Sequence, residues 1–109
     1  MEVEFHPEAR AELLTLPERE QAALHNARVK LTVQGRTLGF PWSSAVRGAD
    51  RLRELRPRAG RSRWRAFYRQ IGQVMWIGAV GPEAQVDRLG FERAIRNAER
   101  RLRALEGRE

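Results

Sequence analysis

Nine arginines fall within 23 residues, at positions 47, 51, 53, 56, 58, 61, 63, 65 and 69, against only Asp50 and Glu54. Arginine offers a planar fork of N–H donors that grips phosphate bidentately and stays protonated at physiological pH. A basic strip of this kind is the electrostatic footprint of a polyanion binder. Its chemistry is charge stabilisation, of a phosphate or of the more negative phosphorane formed when a phosphodiester is cut. It does not supply proton transfer, so a general base or acid has to come from elsewhere. The other candidates are few: His6 and His25 are the only histidines and Tyr68 the only tyrosine. His6 adjoins a predicted strand and His25 lies on a predicted helix, and both are expected at or near the surface, away from the basic strip. Strand alternation sets Tyr68 opposite Arg65, as a core residue with a satisfied hydroxyl. Glu54 would be a base if burial raised its pKa; otherwise it pairs with a neighbouring arginine. Glu83 is a further acidic candidate.

Other chemistries are excluded or left without support. The chain has no cysteine, which removes disulfides, thiolate nucleophiles and cysteine-based zinc sites. The two histidines and Asp50 or Asp87 do not make a metal-ligand spacing, and no metal or other cofactor is expected. No glycine-rich phosphate loop precedes a helix. No apolar run approaches the roughly 18 residues of a membrane span, and the start, Met1-Glu2-Val3-Glu4, is acidic, unlike a targeting peptide. A cytoplasmic protein is expected.

The formal net charge is +7. Residues 1–46 carry five cations and six glutamates, and residues 70–109 carry seven arginines and six acids, so the imbalance sits in residues 47–69. Lys30 is the only lysine.

The elements that must hold the strip in place follow from periodicity. Residues 1–109 suit a single domain. Val3 to His6 alternates as a short strand. Pro7 opens a helix with Ala9, Leu13, Leu14 and Leu16 as its apolar side, and Pro17 begins a second, with Ala23, Leu24, Ala27 and Leu31 at helical spacing and Gly35 as its stop. The two should form a hairpin. Residues 36–50 read as loop, with Phe40 and Trp42 anchoring it to the core. Leu52 to Arg56 reads as a strand stopped at Pro57. Trp64 to Gln70 and Val74 to Val80 read as a hairpin turning at Ile71-Gly72-Gln73, ended by Gly81-Pro82. Trp64, Ala66 and Tyr68 share one face; Arg65, Phe67 and Arg69 share the other. Phe91, Ala94, Ile95, Ala98, Leu102 and Leu105 mark a last amphipathic helix. Its Arg93, Arg96, Arg100, Arg101 and Arg103, interleaved with Glu92 and Glu99, form a solvated face or a docking surface for an acidic partner. The predicted order is β-α-α-β-β-β-α, an α+β fold with the helical hairpin on a mainly antiparallel twisted sheet.

That order, with Leu52-Arg53-Glu54-Leu55-Arg56 ahead of Arg65-Ala66-Phe67-Tyr68 and the apolar Val74-to-Ile77 strand, resembles the RelE/ParE toxin superfamily. It is most similar to the phage-derived HigB-like branch. The resemblance runs from Phe5 to about Ala98. It implies the toxin of a type II toxin–antitoxin pair: a metal-independent endoribonuclease that cuts mRNA in the ribosomal decoding site and is neutralised by a cognate antitoxin, of helix-turn-helix type. Arg65 and Arg56 match the family's substrate-facing arginines. Arg65 would stabilise the phosphorane, with Arg56 and Arg61 assisting, while Arg53, Arg58, Arg63 and Arg69 would hold backbone phosphate. The branch usually carries a histidine and glycine at the end of the last strand and then a lysine pair; here Gly78-Ala79 and Pro82-Glu83 stand there. That departure keeps two alternatives open: a ParE-like inhibitor of DNA gyrase, and a catalytically silent homologue acting only within an antitoxin complex.

Overall fold

The computed structural model describes residues 1–108. Eight elements follow one another: β1 (Glu2–Phe5), α1 (Pro7–Leu14), α2 (Glu18–Gln34), β2 (Ser43–Ala45), β3 (Arg53–Leu55), β4 (Trp64–Ile71), β5 (Val74–Pro82) and α3 (Arg88–Glu106). Short 3-10 turns lie at Gly35–Thr37 and Pro57–Gly60. The strands form one sheet in the order β1-β5-β4-β3-β2, parallel only at β1 and β5. The α+β class and the mainly antiparallel sheet are as the sequence predicts.

The loop expected over residues 36–50 contains a strand. Ser43–Ala45 pairs with Leu55–Arg53 as the edge of the sheet. No β-branched residue marks it. Ser43 is held instead by side-chain hydrogen bonds, its Oγ lying 2.6 Å from the Tyr68 hydroxyl and accepting from Arg53 Nε at 2.9 Å. Tyr68 is thus a core residue with a partnered hydroxyl. Gly81 and Pro82 do not break β5, which runs through both and pairs Pro82 with Trp64. At the last position of a strand, proline's missing N–H costs no ladder bond.

The alternation predicted for β4 sorts the core into two layers. Ala66 and Tyr68 pack with Val3, Leu24, Leu31, Leu55 and Ile77 under the α1–α2 hairpin. Phe67 packs with Ala79, Ala94, Ala98 and Leu102 under α3, on the opposite face. Ala9 of α1 and Leu16 just beyond its end are buried and Leu13 packs against the same cluster, but Leu14, expected inward, is 60% exposed. Adjacent helical residues diverge by about 100°, and so short a helix buries only one of Leu13 and Leu14.

Between Phe67 and Tyr68 the register slips: Phe67 faces Ala79 while Tyr68 faces Ile77, leaving Gly78 as an extra residue in β5. A Cβ on Gly78 would lie 2.7 Å from Leu102 Cγ and 3.1 Å from Ala98 Cα, so the glycine lets α3 lie directly on the strand. β1 covers only the first half of β5's edge. Beyond it, Glu12 of α1 accepts the Val80 N–H at 3.0 Å. The same carboxylate takes Arg101 of α3 in a two-pronged pair, both contacts at 3.0 Å. Arg101 also reaches Glu8 at 2.7 Å and the Gly78 carbonyl at 3.0 Å, fastening the last helix to the first.

Candidate functional site

α3 leaves one corner of its face of the sheet uncovered, where β3 ends, β4 begins and β5 ends. A cleft of about 480 Å³ opens there, lined by Glu54, Arg56, Gly60, Arg61, Ser62, Arg63, Arg65, Glu83, Val86 and Phe91 among others. Glu54 and Arg65 reach it by alternation on neighbouring strands, both sharing the face of Phe67. Arg56 follows directly at the end of β3.

The wall between β3 and β4 is an unusual turn. Arg58, Ala59 and Gly60 have φ of 55°, 57° and 93°. For the two non-glycine residues the left-handed conformation costs about 1–2 kcal/mol each. The turn is held from both sides. From the hairpin, Glu20 takes Arg58 Nη1 at 2.8 Å and the Ser62 hydroxyl at 2.7 Å. From beneath, Arg65 donates to the carbonyls of Ser62 at 2.6 Å, Trp64 at 2.9 Å and Gly60 at 3.2 Å. The hydrogen bonds from Arg58 and then Ser62 hold the Glu20 carboxyl below its ordinary value of 4.5.

Arg56 and Arg65, nine positions apart, converge on one oxygen. Arg56 Nη1 lies 3.0 Å and Arg65 Nε 3.4 Å from Glu54 Oε1, and Glu83 stands 3.7 Å from Arg65 Nη2. Arg65 Nε is buried and makes no hydrogen bond. Burial draws the Arg65 pKa down from its ordinary value; Glu54 opposes this, the nearby Arg56 cation adds to it, and Glu83 opposes it more weakly. Arg61 and Arg63 are exposed and have no carboxylate partner among the described residues. The cleft therefore holds four guanidinium groups against two carboxylates. Such a set can grip a phosphate diester and stabilise added negative charge on it, with Glu54 or Glu83 as the proton acceptor.

Of the arginines singled out in the sequence, the fold gathers Arg56, Arg61, Arg63 and Arg65 and disperses the rest. Arg53 faces the α1–α2 side, in a separate hollow of about 530 Å³ with Arg36, Leu52, Tyr68 and Met75. Arg58 turns onto α2, bonded to Glu20 and to the Arg19 carbonyl. Arg69 is 5% exposed, tied to Glu106 at 3.1 Å and to the Asp50 carbonyl at 2.8 Å. Expected as phosphate contacts, Arg58 and Arg69 are oriented as struts, because each meets an internal carboxylate before it meets solvent. Arg65, expected at the phosphorane, lies 2% exposed in the floor of the cleft.

Neither histidine enters the cleft. His6 caps α1, its Nδ1 accepting the Glu8 N–H at 3.1 Å, and burial together with Arg101 holds its pKa below 6.5. His25 is exposed on α2. Gly78, where the resembling branch carries histidine, lies beneath α3 with no room for an imidazole. Sequence reasoning missed Phe91, read as ordinary core, and Gly60, read only as a turn. A Cβ on Gly60 would come within 2.5 Å of Arg56 Nη2, so the glycine makes space for that guanidinium. Phe40, expected to anchor its loop inward, is 77% exposed and lies against Arg56; Trp42 does pack on the core. Among the described residues no three acidic, histidine or cysteine side chains gather as a metal site, and no helix is long and apolar enough to cross a membrane.

Three helices on this five-stranded sheet make the RelE-like fold. The chain superposes on a mutant of the E. coli toxin RelE in the free state with a TM-score of 0.63, at 18% identity, over 87% of this chain and 94% of that one. It superposes on the isolated E. coli RelE toxin with a TM-score of 0.60, at 20% identity, over 84% and 96%. For RelE in an archaeal RelE–RelB complex from Pyrococcus horikoshii the TM-score is 0.53, at 21% identity, over 74% and 92%. No protein-family model and no curated protein matches the sequence.

Proposed function

We propose that this chain is the toxin of a type II toxin–antitoxin pair, a HigB-like member of the RelE/ParE superfamily that cuts mRNA on the ribosome without a metal. The observation that carries the reading is the convergence of Arg56 and Arg65 on Glu54, in a cleft whose other cations, Arg61 and Arg63, are free to take phosphate. The likeness of the fold to RelE toxins supports it. In the reaction the 2′-hydroxyl gives its proton to Glu54 or Glu83 and attacks phosphorus, and the carboxylic acid so formed returns a proton to the departing 5′-oxygen, leaving a 2′,3′-cyclic phosphate. Arg56 and Arg61 reach the phosphorane from the rim; Arg65 supports it from the floor and holds the turn that carries Arg61. A cytoplasmic location and neutralisation by a helix-turn-helix antitoxin belong to the same reading, and RelE in the archaeal neighbour is in complex with RelB.

The cleft contains no histidine or tyrosine among its lining residues, which favours gyrase inhibition as the second reading. Inducing the gene while following labelled amino-acid and thymidine incorporation separates the two. A prompt stop in translation with new mRNA 5′ ends supports the nuclease. DNA breakage with continued translation supports the gyrase reading, and no growth effect overturns both.

A further inference from the structure

Arg56, which lines the cleft, also stands over an aromatic ring that the charge chemistry leaves unused. Phe40 is 77% exposed, although burying such a ring would stabilise the fold. Its position is nonetheless fixed. The Arg56 Cζ lies 5.1 Å from the ring centroid. Arg56 Nε donates to the Pro41 carbonyl at 3.0 Å, and its backbone N–H to the Trp42 carbonyl at 2.8 Å. The turn is closed by the N–H groups of Trp42 and Ser43 on the Gly39 carbonyl, at 3.0 and 3.1 Å. Below it Trp42 packs on the core, with Lys30 Nζ 4.4 Å from its ring centroid. The Arg56 guanidinium also lies close to Gly60, which leaves it room. The cation therefore stands over one side of a ring that is otherwise largely open to solvent.

We propose that the open face of Phe40 is a stacking subsite for one nucleobase of single-stranded RNA, adjoining the phosphate that Arg56 holds. The proposal rests on the RNA reading of the cleft and deepens it. Every base has a π-face, and aromatic side chains beside cationic grooves are the usual platform for unpaired bases. A protein-docking aromatic would sit among apolar companions; the chain neighbours of Phe40 are Gly39 and Pro41, and its ring partner is a guanidinium. Arg56 then acts twice, holding the phosphate and supporting the ring it stands over.

The test is fluorescence anisotropy at low salt with end-labelled single-stranded oligoadenylate and oligouridylate, using the wild-type chain, Phe40→Ala, Phe40→Leu and Phe40→Trp. The ring is exposed, so all variants should melt with the wild type by circular dichroism. Phe40→Ala should weaken oligoadenylate binding roughly tenfold. Phe40→Leu should not restore it. Phe40→Trp should restore it, with its added emission quenched on binding, and oligouridylate should lose less. If the wild type binds RNA and Phe40→Ala or Phe40→Leu binds equally well, the stacking subsite is overturned and the cleft reading stands. A wild type that binds neither free RNA nor ribosome-bound mRNA overturns the RNA reading and the subsite with it. An effect of Phe40→Ala confined to neutralisation by an antitoxin overturns the subsite in favour of a protein contact.

Discussion

Arg101 and Arg65 are both nearly inaccessible arginines, and they end up in opposite electrostatic states. At Arg101 burial disfavours the cation, but the hydrogen bonds and charges of Glu12 and Glu8 more than offset it, and the pKa is raised. At Arg65 burial again acts first, yet Glu54 and Glu83 stand at 3.4 and 3.7 Å and the neighbouring Arg56 works against them, so the pKa is lowered. One arginine has more carboxylate than it needs and serves as a clamp. The other has its positive charge incompletely answered, with an Nε that makes no hydrogen bond. The contrast separates a clamp from a cation less completely answered, and the second lies in the floor of the cleft.

Mutation of each cluster should separate the two roles. Arg101→Ala leaves Glu12 without its main partner and should cost about 3 kcal/mol, the lower end for breaking a buried pair because Glu8 and Glu12 are partly exposed. Urea denaturation measures it, and a loss below about 1 kcal/mol would show that the clamp is no more than a surface pair. Arg56→Ala should do the reverse. Cleavage of ribosome-bound mRNA should fall on the order of 100-fold, as when one transition-state donor is removed, while the urea midpoint should fall less than for Arg101→Ala, although Glu54 and the Pro41 carbonyl each lose a contact. Glu54→Gln sharpens the comparison within the cleft. Removing the internal counter-charge should tighten RNA binding several-fold, by anisotropy, and still slow cleavage; equal slowing without tighter binding would mean that Glu54 does not compete with phosphate. The smallest effect concerns the turn. Because the Glu20 carboxyl is held below 4.5 in the folded chain, its contribution is complete above that pH and is lost as pH falls through the lowered value, where the unfolded chain has already taken up the proton. Glu20→Gln should flatten that part of the stability–pH profile.

Periodicity made most of the fold legible. The apolar spacing of α2 and α3, the tight turn read at Ile71-Gly72-Gln73, and the sorting of Trp64, Ala66 and Tyr68 from Phe67 are local patterns that survive in the folded chain, with β4 running one residue further, to Ile71. The strand Ser43–Ala45 was hidden because its stability comes from Tyr68 and Arg53, neither of which is near it in sequence. The site was legible as a composition and not as a set. Charge clustering pointed to residues 47–69, and alternation put Arg65 on the face of Phe67, where it lies. It could not show that Glu20, Glu106 and the Asp50 carbonyl would claim Arg58 and Arg69. Nor could it show that Arg56 would draw Phe40 outward. A buried arginine and an exposed phenylalanine both invert the usual sorting, and each inversion rests on partners that periodicity does not reveal: the turn carbonyls, Glu54 and Glu83 for Arg65, and Arg56 for Phe40.

The bond between Glu12 and Arg101 spans 89 positions of the chain. Any polypeptide interrupted ahead of α3 leaves the Gly78 bulge bare, Phe67 in water and α1 without its brace. Folding is therefore gated by the arrival of the final segment, and no shorter fragment should acquire the cleft by itself. A truncation introduced anywhere before that helix would yield a protease-sensitive chain, and supplying the missing helix as a separate peptide is the direct way to recover the shape.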